Sequence, residues 1–254
     1  MGFLNQVLRW AHILAGIVWI GHLYFFNFVN GPFQGTMDGE TKKKVNPELM
    51  PRALFWFRWG AAWTWATGAL LLAIVFWHGG ALFDADQSWY ASRIVMVLSV
   101  FVAPFVYDAV AKTDFAKSNQ TMAGVGFVLT ALVILLMVYW AHFSYRGFNI
   151  HVGAMFGTIM AYNVWFRIWP AQQKIIAATK HGTPADQALV AQAGARSRHN
   201  TYMSVPLLWT MIDQHTAEAG FASYVEWIPL LVAIGIGWWI VAMFYRQATK
   251  VKGF

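Results

Sequence analysis

Cysteine is absent from the 254 residues, and charged residues are scarce at 11%. Without cysteine there can be no disulfide framework, thiolate zinc site, iron–sulfur cluster or haem attached covalently through C-x-x-C-H. Any metal or haem must therefore be held by histidine. Soluble domains carry about 25% charged residues, so the low charge, beside 58% apolar residues and 15 tryptophans, excludes an ordinary soluble domain. Long apolar runs point instead to an all-α, polytopic bundle of transmembrane helices forming a single integral membrane domain. The formal charge of +7 is assigned to lysine and arginine kept in cytoplasmic loops, and no nucleic-acid partner is expected.

Apolar runs at Val7–Phe28, Leu54–Trp77, Ser92–Val110, Met122–Phe143, Val152–Trp169, Asn200–His215 and Val225–Tyr245 predict about seven spans. The sixth is short and contains Pro206, which leaves a re-entrant segment open. Charge placement favours seven crossings, because fifteen of the 18 Lys and Arg then share one side and only Arg9, Arg93 and Arg146 lie opposite. The positive-inside rule puts that side in the cytoplasm of a bacterial inner membrane, with the amino terminus outside and the carboxyl terminus inside. The acidic loops around Asp84, Asp86, Glu218 and Glu226 then face outward. The first run is too long for a signal-peptide core and no small-residue cleavage site follows it, so it is expected in the mature protein. Two long cytoplasmic connections, Asn30–Ala53 and Pro170–Arg198, offer docking places, and the second is expected to hold short surface helices. Trp10, Trp56, Trp59, Trp77, Trp89, Trp140, Trp169 and Trp227 fall near span ends, where indoles anchor to membrane lipids. Gly153 and Gly157 have the spacing of close helix packing.

Histidine carries the chemistry. Of eight histidines only His181 is plainly in a loop, and a histidine within a bilayer tends to face the bundle interior, where it bonds, titrates or ligates. In the seven-span topology His12, His78, His142, His151 and His215 lie toward the outer face. His22 lies about 15 Å deeper than His12, and His199 opens the sixth span at the inner face. Two levels suit one or two b-type haems held between imidazoles. His12 and His22 are about 80° apart around their helix, so they serve separate irons if both ligate. The outer partner of His12 is His142 or His151, with the small residues after His151 giving a flat ring room. The inner partner of His22 is His199, beside Arg198, which suits a propionate. His78 and His215 read as hydrated end residues. Arg58 and Asp108, toward the cytoplasmic ends of the second and third spans, are expected to form a salt bridge; alternatively Arg58 clamps an anion or propionate and Asp108 accepts a proton.

The first span, RWAHILAGIVWIGHLYFFNF from Arg9 to Phe28, and the segment RHNTYMSVP from Arg198 to Pro206 resemble the urate oxidase N-terminal family, the membrane domain of bacterial urate hydroxylases. The start of the first span also resembles the protoporphyrinogen oxidase and copper-resistance membrane families, which points to His12 as a ligand. The main resemblance implies a membrane oxidoreductase that oxidises urate at the cytoplasmic side and passes electrons to cytochrome c. Full-type members carry an eighth span and a fused cytochrome c domain, and the seven runs here are followed by neither. The resemblance then implies either a separate cytochrome c in place of that domain or a relative that serves as an electron-transfer or accessory subunit without urate chemistry.

Two functions are thus expected to compete. In the first, a haem-b oxidoreductase binds a planar anionic purine through Arg198, Asn200 and Tyr202, which supply a cation, an amide and an aromatic face, with His199 beside them. In the second, the chain is a non-catalytic electron-transfer or accessory subunit of a respiratory complex, drawing on quinol.

Overall fold

The computed structural model describes residues 2–84, 86–213 and 225–252. His215 and Glu218, and with His215 the end of the sixth expected span, lie outside the described residues. Helices make up nearly all of the rest, and no strand occurs among the described residues. In chain order they are α1 (Gly2–Tyr24), α2 (Gly31–Thr36), α3 (Gly39–Leu71), α4 (Ala91–Val110), α5 (Asn119–Leu135), α6 (Tyr145–Asn163), α7 (Trp169–His181), α8 (Gln187–Asp213) and α9 (Ile228–Ala248). Wide π turns extend α1, α3, α5 and α6 at Phe25–Asn30, Leu72–Trp77, Leu136–Trp140 and Val164–Ile168. The all-α bundle expected from composition is what the chain forms.

Five helical segments are long and apolar enough to cross a membrane: Gly2–Thr36, Gly39–Trp77, Ala91–Val110, Asn119–Trp140 and Ile228–Ala248. Their outward faces carry large apolar side chains, such as Phe3, Trp10, Ile13 and Ile17 on α1, a surface that lipid rather than water covers. The chain is a multi-pass membrane protein. The two other expected spans correspond to α6 and α8, which do not reach the same apolar measure. Their burial shows why: His151, Asn149 and Asn163 on α6 and Asn200, Thr201, Ser204 and Thr210 on α8 are all fully buried. A helix that faces protein can carry polar groups which a lipid-facing helix cannot. α8 is also longer than the sixth apolar run, with 27 residues that continue unbroken through Pro206, about 40 Å at the helical rise. Much of the connection expected to hold surface helices is thus α7 and the start of α8, joined across Gly182 in the left-handed conformation (φ +69°).

The chain divides into two compact units. Unit 1 comprises Met1–Gly68, Met160–Val205 and Trp238–Phe254. Here α1 and α3 pack antiparallel along stripes of small residues. A Cβ on Gly60 would meet the Trp19 backbone nitrogen at 3.0 Å, and one on Gly16 would touch Thr64 at 3.9 Å. One turn further, Phe26 meets Phe57 edge to face. In lipid there is no hydrophobic drive between helices, so such close backbone approach, with the dispersion it allows, holds the pair.

Unit 2 comprises Ala69–Ile159 and Pro206–Gly237. There α6 lies against α8, as the Gly153 and Gly157 spacing predicts. A Cβ on Gly153 would fall 1.9 Å from Thr210 Oγ1, and one on Gly157 would fall 3.3 Å from Leu207. Gly237 likewise leaves room for the Pro206 ring. The loop after the Leu72–Trp77 turn is tied down by Arg93, which is 2% exposed. Its guanidinium donates to the carbonyls of Asp86, Ser88 and Ala141 and lies over the rings of Phe83 and Tyr90.

Candidate functional site

The imidazole of His12 sits where α1 crosses α3. Its Nδ1 lies 2.9 Å from the carbonyl oxygen of Thr64 and 3.1 Å from Thr67 Oγ1. A carbonyl only accepts. The Thr67 hydroxyl has one hydrogen, and the carbonyl of Trp63 takes it at 2.6 Å. Both neighbours of Nδ1 are therefore acceptors, so Nδ1 carries the proton and donates it, and Nε2 holds the lone pair of the neutral ring. Gly68 makes room for this arrangement: a Cβ there would stand 2.9 Å from His12 Cε1. An imidazole whose Nδ1–H is held by a carbonyl is the form that binds metal through Nε2.

The same logic applies to two other rings. His22 Nδ1 donates to the Val18 carbonyl at 2.7 Å, and His151 Nδ1 donates to the Gly147 carbonyl at 2.8 Å. His151 differs in its second nitrogen. Its Nε2 accepts from the indole N–H of Trp77 at 3.0 Å, within a cage of Phe76, Trp77 and Phe143. Both nitrogens of this fully buried ring are therefore engaged, and ligating a metal would require Trp77 to swing away. His142 occupies an exposed corner at φ +53°, a left-handed position that histidine tolerates better than most residues. His199 is half-buried on α8.

A second cluster in unit 1 follows α8 at helical spacing: Ser197, Asn200, Thr201 and Ser204. Asn27 donates to Ser197 Oγ at 2.8 Å and accepts from Tyr245 Oη at 2.8 Å. Ser204 gives its hydrogen to the Thr201 carbonyl, so Tyr24 Oη donates to Ser204 Oγ at 3.0 Å. Asn200 is committed on both sides, accepting from Asn163 and donating to the Met160 carbonyl. Its amide is a helix clamp here. Arg198 is exposed, with its guanidinium 5.3 Å from the centre of the Tyr245 ring. Tyr202 stacks on the same ring at 6.0 Å and 23°. A cation beside two nearly parallel aromatic rings forms a ledge suited to a planar anion.

Arg58 and Asp108 find other partners than each other. Asp108 pairs with Lys112 one turn along α4 at 2.7 Å. The Arg58 guanidinium lies over Trp169 at 4.0 Å and Trp165 at 5.2 Å. Most expected anchors, including Trp10, Trp56, Trp59, Trp89 and Trp140, are exposed. Trp77 and Trp169 instead serve His151 and Arg58.

A family model, urate oxidase N-terminal, matches residues 33–253. The chain belongs to the urate oxidase N-terminal family. No curated protein and no solved structure matches it. Within this family member the matched residues include RHNTYMSVP and therefore the α8 cluster, whereas α1, with His12 and His22, precedes the match.

Of the nine residues singled out in the family member's sequence, seven fall in unit 1: His12, His22, Arg58, Arg198, His199, Asn200 and Tyr202. His142 and His151 fall in unit 2. Sequence reasoning missed Thr64, Thr67 and Gly68, which hold His12, and Trp77, which caps His151. It also missed Asn27, Tyr24 and Tyr245. A signal existed for the first three, because GAAWTWATG places Thr64, Thr67 and Gly68 on one face with Gly60 in a helix rich in tryptophan. None existed for Trp77, which resembles every other tryptophan at a span end.

Among the described residues no group of three or more His, Cys, Asp or Glu is arranged to hold a metal ion. Haem does not need one, since the porphyrin supplies four ligands and the protein one or two. The donor chemistry at His12 and His22 fits that requirement: a neutral imidazole with Nδ1–H on a carbonyl, and at His12 a glycine where a side chain would displace the ring.

Proposed function

We propose that the chain is a membrane oxidoreductase of the urate hydroxylase type in a bacterial inner membrane, passing electrons from urate at the cytoplasmic side toward a separate cytochrome c. Family membership supports the reaction class. The observation that carries the reading is the His12 imidazole, whose Nδ1–H is held by the Thr64 carbonyl so that Nε2 keeps its lone pair. Haem b would be held by His12 and His22 at separate depths, with His199 the candidate partner on α8. When bound, it supplies one-electron transfer between substrate and acceptor.

The chain's own residues do the rest. Thr64 and Thr67 fix the tautomer and orientation of His12, so no rotamer search accompanies ligation. Arg198 supplies positive charge for a urate-like anion, and Tyr202 with Tyr245 offers aromatic faces for the purine. Asn200, clamped between Asn163 and Met160, holds α8 so that Arg198 and Tyr202 stay at the ledge. The amino terminus lies outside in this reading, with the lysine- and arginine-rich side of the molecule and the ledge facing the cytoplasm.

The test is an anaerobic titration of the purified detergent-solubilised protein with urate, following the reduced-minus-oxidised spectrum. Wild type is expected to show a b-type spectrum reduced by urate. His12→Ala should lose haem in a pyridine haemochrome assay. Arg198→Ala should retain haem that dithionite reduces and urate does not. Wild-type haem inert to urate would overturn the urate reading and leave an electron-transfer subunit of a respiratory assembly, and protein without haem would overturn both.

A further inference from the structure

The Arg58 guanidinium has no carboxylate partner among the described residues, and its Nε–H is buried without an acceptor. An arginine at a membrane boundary is costly unless its N–H groups are met, and this one is held in place with care. Its cationic carbon lies 4.0 Å from the centre of the Trp169 ring and 5.2 Å from that of Trp165. Trp165 also donates its indole N–H to the Arg58 backbone carbonyl at 3.2 Å, and Trp59 meets Trp165 edge to face at 5.6 Å. Indole faces stabilise the charge but accept none of the in-plane N–H bonds. A planar fork of unpaired donors is the geometry that recognises a phosphate-class oxyanion, two N–H bonds to two oxygens.

The flanking side chains identify the source of that oxyanion. Phe55, Trp56 and Trp59, beside Arg58 on α3, are 46%, 57% and 40% exposed. Aromatic surface of this extent is covered by lipid, with indoles at headgroup level. We propose that Arg58, Trp165 and Trp169 form a binding site for the phosphodiester of an anionic phospholipid. The site rests on neither the haem nor the urate reading. It makes the Arg58 platform a place where bound lipid fixes the junction of α3 with the π turn before α7.

The experiment uses the purified full chain, delipidated in neutral detergent. Native mass spectrometry counts retained phosphatidylglycerol, and thermal unfolding is followed with added phosphatidylglycerol, phosphatidylcholine or inorganic phosphate. Wild type should retain phosphatidylglycerol and unfold at a higher temperature with it. Arg58→Gln should bind it about tenfold more weakly, the scale of one lost charged hydrogen-bond pair. Arg58→Lys should recover only part, because an ammonium keeps the charge without the fork. Trp169→Leu, which retains the charge but removes the ring beneath it, should also weaken binding and serves if Arg58→Gln fails to fold. Equal lipid retention in wild type, Arg58→Gln and Trp169→Leu overturns the site. Stabilisation by inorganic phosphate alone overturns the lipid assignment in favour of a soluble anion. Loss of haem in Arg58→Gln with unchanged lipid binding overturns it in favour of a propionate.

Discussion

The indole nitrogen of Trp77 donates to Nε2 of His151 at 3.0 Å across 74 residues of sequence. That one bond separates two histidines that otherwise look alike. His151 and His12 both give Nδ1–H to a backbone carbonyl, but only His151 has its lone pair capped by an indole.

Replacing Trp77 with Phe should therefore cost stability and expose a ligand. The buried Nε2 loses its only donor, a loss of about 1–3 kcal/mol for an unsatisfied buried group. Chemical unfolding measures that loss. Titration with Zn²⁺ should show binding that a Trp77→Phe, His151→Ala double variant lacks; no gain in binding would show that the cage, rather than the cap, excludes metal.

Thr67 should govern the tautomer of His12. In Thr67→Val the second acceptor disappears while the Thr64 carbonyl remains, so the expected loss is modest, about 1 kcal/mol. Nitrogen NMR of labelled histidine should find Nδ1–H at His12 in wild type and in Thr67→Ser. The Nε2–H form should grow in Thr67→Val, and identical spectra in all three would remove Thr67 from the reading.

Gly68→Ala should displace the His12 ring, because the added Cβ would lie 2.9 Å from Cε1. Overpacking of this kind costs about 1–3 kcal/mol. Gly235→Ala, where a Cβ meets nothing within 4 Å, is the matched control. Haem per chain should fall in the first and stay unchanged in the second.

Gly153→Ala should be the more damaging change at a helix contact, since its Cβ would fall 1.9 Å from Thr210 Oγ1 and the two helices must part. A loss of about 3 kcal/mol is expected, with partial recovery in the Gly153→Ala, Thr210→Ala double variant. Additive losses in a double-mutant cycle of unfolding energies would refute the contact.

The loop that carries Asp86 should loosen in acid. The Ser88 backbone N–H, then its side chain and, more weakly, the charge of Arg93 hold the Asp86 carboxyl below its ordinary value of 3.8. A group depressed on folding contributes stability above its unfolded pKa, and that contribution disappears as the pH falls through the lower folded value. Protection of the Ser88 amide, its exchange rate relative to the intrinsic rate at each pH, should fall below about pH 4 in wild type, and it should be low and constant across that window in Asp86→Asn.

The membrane class, the all-α fold and the family were legible in the sequence because each depends on composition or local pattern. Five apolar segments stand out by hydropathy alone, and the Gly153 and Gly157 spacing is repeated in the backbone approach to Thr210 and Leu207. α6 and α8 were harder to delimit. Their buried faces carry Asn149, His151, Asn200 and Ser204, polar residues that hydropathy counts against a span but that other helices satisfy. Pro206 suggested a break, yet α8 runs through it beside Gly237, a contact between residues 31 positions apart.

By itself the sequence determined that this is a helical membrane protein without cysteine, and that residues 33–253 belong to the urate oxidase N-terminal family. Only the tertiary structure decided which histidine nitrogens hold a proton and which side chains are already spent. The partners that decide it, Thr64 and Thr67 for His12, Trp77 for His151 and Asn163 for Asn200, come from other helices. A hydrogen bond acts over about 3 Å, so only the packing of those helices could reveal it.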